Sequence, residues 1–145
     1  MNKRTVLKLD SIMLEEKILK EYRTVAVVGL SPDPKRPSYK VASYLAQHGY
    51  EIIPVNPNAD EILGKPSYPD LDSIPEPAEV VDIFRRSEEV MPVVDEAIKI
   101  GAKVVWMQEG VINETAASRA RDAGLLVVMD KCMFKEHRRL SKRPG

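Results

Sequence analysis

Apolar and polar positions follow two rhythms along this chain. Five short, nearly unbroken apolar runs stand out: Thr24–Leu30, Tyr50–Val55, Val80–Phe84, Ala102–Met107 and Leu125–Met129. A strand buried on both faces of a parallel sheet has this pattern, because neither face meets water. Between the runs lie segments with a helical apolar repeat. Asp10–Tyr22 carries Ile12, Leu14, Ile18 and Leu19 among charged residues, with Asp10 or Ser11 placed to cap it. Ser38 is placed to cap a helix over about Tyr39–His48, with Val41, Ala42, Leu45 and Ala46 inward and Gly49 as its stop. Glu88–Ile100 repeats Val90, Val93, Val94, Ala97 and Ile98 before Gly101, Asn113–Ala123 ends at Gly124, and residues 133–140 form a last helix with a basic surface.

Prolines mark where these rhythms break. Pro32, Pro34 and Pro37 keep any helix out of Ser31–Pro37. Pro54 lacks a donor, which places that end of its strand at a margin. Asn56-Pro57-Asn58 turns the chain, and the acidic, proline-rich stretch to Glu79 has room for a short strand near Pro66–Tyr68 and a helical turn at Leu71–Ile74. The alternation of strand and helix predicts an α/β fold: a Rossmann-like, mostly parallel, doubly wound sheet of five strands or six, joined by right-handed crossovers.

Composition narrows the picture. A length of 145 residues suits one domain, here residues 1–145, with a core over about 24–138, a leading helix in 1–23 and a basic tail in 139–145. Lysine and arginine balance aspartate and glutamate at 22 each, so no global charge draws the chain to nucleic acid or to an acidic membrane. The one cysteine, Cys132, has no partner for an internal disulfide. The first ten residues lack a signal-peptide core, and no apolar run reaches the ~18–20 residues of a membrane helix. A cytoplasmic protein is expected.

Ligands of such sheets sit beyond the carboxyl ends of the strands, at the switch in strand order. Polar residues gather there: Ser31, Asp33, Lys35, Arg36, Ser38 and Tyr39 after the first strand; Asn56 after the second; Arg85, Arg86 and Ser87 after Val80–Phe84; Gln108 and Glu109 after Ala102–Met107; Asp130, Lys131 and Cys132 after the last. Lys35 and Arg36 bring positive charge, and the start of the next helix brings free amides and a dipole that favours an anion. This is phosphate chemistry; the competing reading is a solvated proline-rich turn. The usual nucleotide signatures are missing. Gly29-Leu-Ser-Pro-Asp-Pro has only the first glycine of the dinucleotide fingerprint, the second strand ends at Asn56 rather than an acid, and Gly64-Lys65 lacks the upstream glycine of a Walker loop. NAD and ATP in their usual modes are disfavoured.

Catalytic constellations are thin. His48 at a helix end and His137 in the basic tail read as surface or capping residues. No histidine–cysteine cluster has zinc spacing, and no Gly-x-Ser-x-Gly elbow occurs. Cys132 reads first as a small apolar residue and second as a thiol facing a ligand. Asn113-Glu-Thr115 matches a glycosylation acceptor but falls at a helix start. The run Lys131–Arg143 reads as a solvated basic face rather than a nucleic-acid contact.

Six segments together carry a resemblance: Val27-Val-Gly-Leu-Ser31, Arg36-Pro-Ser-Tyr39, Gly49-Tyr-Glu-Ile-Ile-Pro-Val-Asn-Pro57, Val81-Asp-Ile-Phe-Arg-Arg-Ser87, Val105-Trp-Met-Gln-Glu-Gly110 and Val127-Val-Met-Asp-Lys-Cys132. Spread over about residues 24–138, they resemble the small CoA-binding domain family, single-domain relatives of the nucleotide-binding domain in the succinyl-CoA synthetase α subunit. The resemblance implies coenzyme A held across the strand ends. It places Ser31 at the synthetase's first-loop hydroxyl, Met107, Gln108 and Glu109 on its later CoA-contacting segment, and Arg36 to Tyr39 on the family's Arg-Pro-Ser-Tyr segment. The first loop departs from the synthetase in being proline-rich rather than glycine-rich. The synthetase's phosphohistidine lies outside this domain, so ligase activity does not carry over.

The expected ligand-binding set is Gly29, Ser31, Lys35, Arg36, Ser38, Tyr39, Asn56, Phe84, Arg85, Met107, Gln108 and Glu109, with coenzyme A or an acyl-CoA as the small-molecule ligand, no metal, and neither nucleic acid nor membrane as partner. Three readings compete: a CoA-binding module without chemistry of its own; an enzyme acting on a CoA thioester or other nucleotide-linked substrate through Cys132, Asp130 or Glu109; and a ligand-sensing protein that contacts a partner through its leading helix and basic tail.

Overall fold

The computed structural model describes residues 2–142, apart from the side chains of residues 4–12. Five parallel strands form the central sheet: β1 (Thr24–Val28), β2 (Glu51–Val55), β5 (Val80–Ile83), β6 (Val104–Met107) and β7 (Leu126–Val128), in the order β2-β1-β5-β6-β7. A small antiparallel ribbon, β3 (Glu61–Ile62) and β4 (Lys65–Pro66), lies between β2 and β5 in sequence. Five helices connect or flank these strands: α1 (Lys3–Glu21), α2 (Pro37–Gln47), α3 (Val90–Lys99), α4 (Glu114–Asp122) and α5 (Met133–Ser141). The order reverses at β1, whose neighbours are β2 on one side and β5 on the other.

Side-chain alternation divides the core into two layers. Val25, Val27, Val80, Val104, Trp106 and Val128 point to one face, under Ile18 and Leu19 of α1, Val41, Ala42 and Leu45 of α2, and Met133 of α5. Ala26, Val28, Val81, Ile83, Val105, Met107 and Val127 point to the other, under Val90, Val93, Val94 and Ala97 of α3 and Ala116, Ala117 and Ala120 of α4. With helices on both faces, the middle strands have no solvated side, and their unbroken apolar sequence follows.

Several boundaries differ from expectation for identifiable reasons. Along the backbone α1 begins at Lys3, well before Asp10, since the chain from there has no proline or glycine to stop it; the side chains of Asp10, Ser11 and Ile12 lie outside the described residues. Ser38 does not cap α2. Arg36 occupies the cap position, Pro37 opens the first turn, and Ser38 is buried inside it. Ala46 is exposed, because the buried stripe of α2 runs through Val41, Ala42 and Leu45. Pro54 sits inside β2, opposite Val27, and is tolerated because β2 is an edge strand. Near Pro66–Tyr68 the chain makes the β3–β4 ribbon, and Tyr68 bridges to Val55 on that outer edge, so the main sheet keeps five strands. Asn113 does cap α4, accepting from the Ala116 amide at 2.9 Å.

The leading helix is fastened to the rest. Glu15 is 1% exposed and accepts from Lys131 Nζ at 2.5 Å and Arg139 Nη2 at 3.4 Å, joining α1 to α5. Tyr50 donates to the Leu19 carbonyl. The two histidines meet in an aromatic cluster at the end of α2, where His48 stacks on Tyr44 and the Tyr44 hydroxyl bonds His137 Nδ1 at 2.8 Å. Burial, His48 and Arg23 together lower the His137 pKa.

Candidate functional site

The carboxyl ends of β1, β5 and β6 meet at the reversal of strand order. Gly29 closes β1 with φ +88°, and a Cβ there would stand 2.1 Å from the Phe84 carbonyl oxygen. The glycine therefore lets β1 and β5 approach each other: Phe84 N–H donates to the Val28 carbonyl at 2.8 Å. Its missing side chain makes room for Phe84 rather than for a ligand.

Beyond β1 the proline-rich loop is braced from within. Ser38 Oγ accepts from the Ser31 amide at 2.9 Å, Ser31 Oγ from the Asp33 amide at 3.0 Å, and Asp33 Oδ1 from the Lys35 amide at 3.0 Å. Asn56 ties the end of β2 to this loop, donating to the Leu30 carbonyl at 2.9 Å while accepting from the Asn58 amide at 2.8 Å. Asn56, Ser31 and Ser38 thus shape the loop. Lys35 and Arg36 are exposed, and neither side chain has an ion pair among the described residues. No side chain caps α2, so its first amides, at Ser38 and Tyr39, have no intrahelical carbonyl. Tyr39 itself is half-buried against the core.

On the other side of the reversal an open cavity of about 650 Å³ lies over the ends of β5 and β6, lined by Phe84, Arg85, Arg86, Glu89, Gln108, Glu109, Gly110 and Val111. Four of these, Phe84, Arg85, Gln108 and Glu109, were expected from sequence. Arg86, Glu89, Gly110 and Val111 fall outside the expected set; Arg86 was legible as the second residue of a basic pair just past a strand. Arg85 and Arg86 have no ion pair among the described residues, whereas Glu109 is exposed and pairs with Lys135 at 2.9 Å. Met107 is fully buried in the core and its side chain does not reach this surface. A second open hollow, of about 630 Å³, runs along Met91, Glu114, Ser118 and Arg119 on α3 and α4, away from the strand ends.

The loops around the cavity are cross-linked by hydrogen bonds. Ser87 Oγ accepts from the Ile112 amide at 2.9 Å and donates to the Gly110 carbonyl at 3.3 Å. Asp130, with φ +61°, accepts from the Gly110 amide at 2.7 Å. Cys132 is half-buried at the cap of α5, and burial raises its thiol pKa, which disfavours the thiolate.

Bonded to the cavity residue Gln108 is a buried acid that the sequence analysis did not single out. Asp82 is fully buried on the α1–α2–α5 face, between Val27 and Trp106 in register. Oδ1 accepts from Gln108 Nε2 at 2.5 Å, and Oδ2 has no partner. Burial raises the carboxyl from 3.8 to about 7, with the Gln108 bond opposing.

Comparison with known proteins agrees with the fold. The sequence profile of a family described as "CoA binding domain" matches residues 23–138. The chain is 41% identical over 122 residues to the uncharacterized protein YneT of Bacillus subtilis, covering 84% of this chain and 90% of that one. It is 35% identical over 83 residues to acetate–CoA ligase [ADP-forming] II of Archaeoglobus fulgidus, covering 56% of this chain but 12% of that far longer protein. A hypothetical protein from Pyrococcus horikoshii superimposes with a TM-score of 0.87 at 44% identity, covering 90% of this chain and 92% of that one.

Proposed function

This chain belongs to the CoA-binding domain family, and from that premise we propose that it is a cytoplasmic CoA-binding module, holding coenzyme A or an acyl-CoA across the ends of β1, β5 and β6. One observation carries the reading: Arg85 and Arg86 line the cavity with no carboxylate partner among the described residues. A guanidinium left unpaired at a cavity wall is available for a bidentate bond to phosphate. Lys35, Arg36 and the uncapped start of α2 offer a second anion-binding position at the end of the adjacent strand. Phe84 supplies an apolar surface for the adenine or the pantetheine arm, and Gln108 a polar contact in the cavity wall.

The groups considered for chemistry support binding over catalysis. Asp130 is committed to the Gly110 amide, Glu109 to Lys135, and the Cys132 thiol is held protonated by burial. Calorimetric titration with coenzyme A, acetyl-CoA, NAD and ATP tests the proposal. Micromolar or tighter binding confined to coenzyme A and its thioester is the expected result. Equal affinity for NAD or ATP, or no heat with any of the four, would reject it.

A further inference from the structure

Asp82 and Gln108 form a buried pair whose cost calls for a function. A carboxylate at a strand position closed on both faces, given one hydrogen bond and one orphan oxygen, is expensive compared with the valine or isoleucine at neighbouring positions. The partner that Asp82 does have lines the cavity.

The two protonation states of Asp82 make opposite demands on the Gln108 amide. An ionised carboxylate only accepts, so Nε2 must face it, as it does here, leaving Oε1 as the amide atom without a protein donor among the described residues. A protonated carboxyl can donate. Its hydroxyl is best satisfied by Oε1 after the amide turns over, which leaves Nε2 without a protein acceptor. We propose that Asp82 is a positioning residue that sets the hydrogen-bonding polarity Gln108 offers the ligand, its ionised form presenting an acceptor that selects an N–H, O–H or S–H donor. The inference rests on the cavity being the ligand site argued above, and it narrows what binds beside Gln108 to a donor group, such as an amide or amino N–H.

The surroundings isolate the pair. Burial raises the carboxyl and the Gln108 bond opposes it, with no charged side chain contributing. From the elements packed over this face, the segment before α5 brings Cys132, which feels the Asp82 charge together with that of Glu109. Of the charges borne by α1, α5 and the segment between, Glu15, Arg139 and Lys131 are engaged with one another. With its midpoint near neutrality, Asp82 passes from about one-tenth to about nine-tenths ionised between pH 6 and pH 8. A ligand that requires the ionised form gains about tenfold in affinity over that range.

The test follows the Gln108 side-chain amide by nitrogen–proton NMR from pH 5.5 to 8.5 in the wild type and in Asp82→Asn, with coenzyme A titrations at pH 6 and 8 in both. The variant keeps the size of the side chain and lacks the titratable carboxyl, so any dependence it retains comes from groups other than Asp82, the ligand's phosphates among them. The expected result is a Gln108 amide that titrates in the wild type and stays fixed in the variant, and a wild-type-to-variant affinity ratio about tenfold higher at pH 8 than at pH 6. A Gln108 amide that does not move with pH in the wild type, or an affinity ratio equal at the two pH values, would overturn it. Failure of coenzyme A to bind at either pH, with the amide still titrating, would reject the coenzyme A reading alone and leave the coupling between Asp82 and Gln108 established.

Discussion

Replacing Asp82 by asparagine should stabilise the protein at alkaline pH relative to the wild type, and by an amount that grows as pH rises. In the unfolded chain the carboxyl ionises near its ordinary 3.8; in the folded protein burial holds it to about 7. The folded state therefore keeps the proton more tightly, and the stability this contributes is complete below pH 3.8 and is lost as pH rises through 7. The difference corresponds to about 4 kcal/mol at 1.36 kcal/mol per pH unit. Roughly 2.5 kcal/mol of that falls between pH 5 and pH 8, because the unfolded carboxyl is already largely ionised at pH 5. Asparagine has no such dependence, and every other titrating group is common to the two proteins and cancels in their difference. Urea unfolding followed by the fluorescence of Trp106, the one tryptophan and the register partner of Asp82, gives both stabilities. Curves that stay parallel from pH 5 to pH 8 would refute the reasoning, since they would mean that the carboxyl is no more reluctant to ionise folded than unfolded.

Three further outcomes are expected. Arg85→Ala and Arg86→Ala should each weaken coenzyme A binding by about 1.5–3 kcal/mol if they make charge-assisted bonds, and calorimetry in low and high salt should show a shallower salt dependence in the double variant; unchanged affinity in all three would remove the pair from the site. Gly29→Ala should destabilise by roughly 2–4 kcal/mol, combining left-handed strain with a clash, because its Cβ would meet the Phe84 carbonyl at 2.1 Å; a melting temperature equal to the wild type's would show that β1 and β5 can separate at no cost. Glu15→Ala should cost about 2 kcal/mol by removing the buried carboxylate that Lys131 and Arg139 share, and hydrogen exchange should rise in α1 and α5 ahead of the sheet; uniform exchange would mean that the two helices are held by apolar packing alone.

Most of the fold was legible because the five strands of the sheet are apolar on both faces, and a parallel sheet covered by helices is what such runs require. The ends of elements were less legible where two residues competed for one role. Ser38 has the chemistry of a cap, but the pyrrolidine of Pro37 already fits the first helical position, so the cap shifts to Arg36 and the serine hydroxyl turns inward to the Ser31 amide. The ribbon at Glu61–Pro66 was illegible for a different reason: its strands are two residues long and too short to show a period.

The candidate site divides along a physical line that sequence position cannot draw. Residues at strand ends serve either the loops or a ligand, and the distinction depends on whether their polar atoms are already used. Asn56, Ser31, Ser38 and Asp130 look like ligand contacts from their place in the chain, yet each spends its side chain on a backbone group of its own or an adjoining loop. Arg85, Arg86, Lys35 and Arg36 have the same kind of position and no carboxylate partner among the described residues. Asp82 inverts the case: it lies inside a strand, where a polar residue is expected only if satisfied, and one of its oxygens is not. The loops are braced by the first group, the charge for an anionic ligand is left free by the second, and a buried acid holds the amide between them. A site of this kind is built to bind before it is built to react, because the groups with bonding capacity to spare include four cations and an amide, while burial disfavours the Cys132 thiolate and Asp130 and Glu109 are engaged.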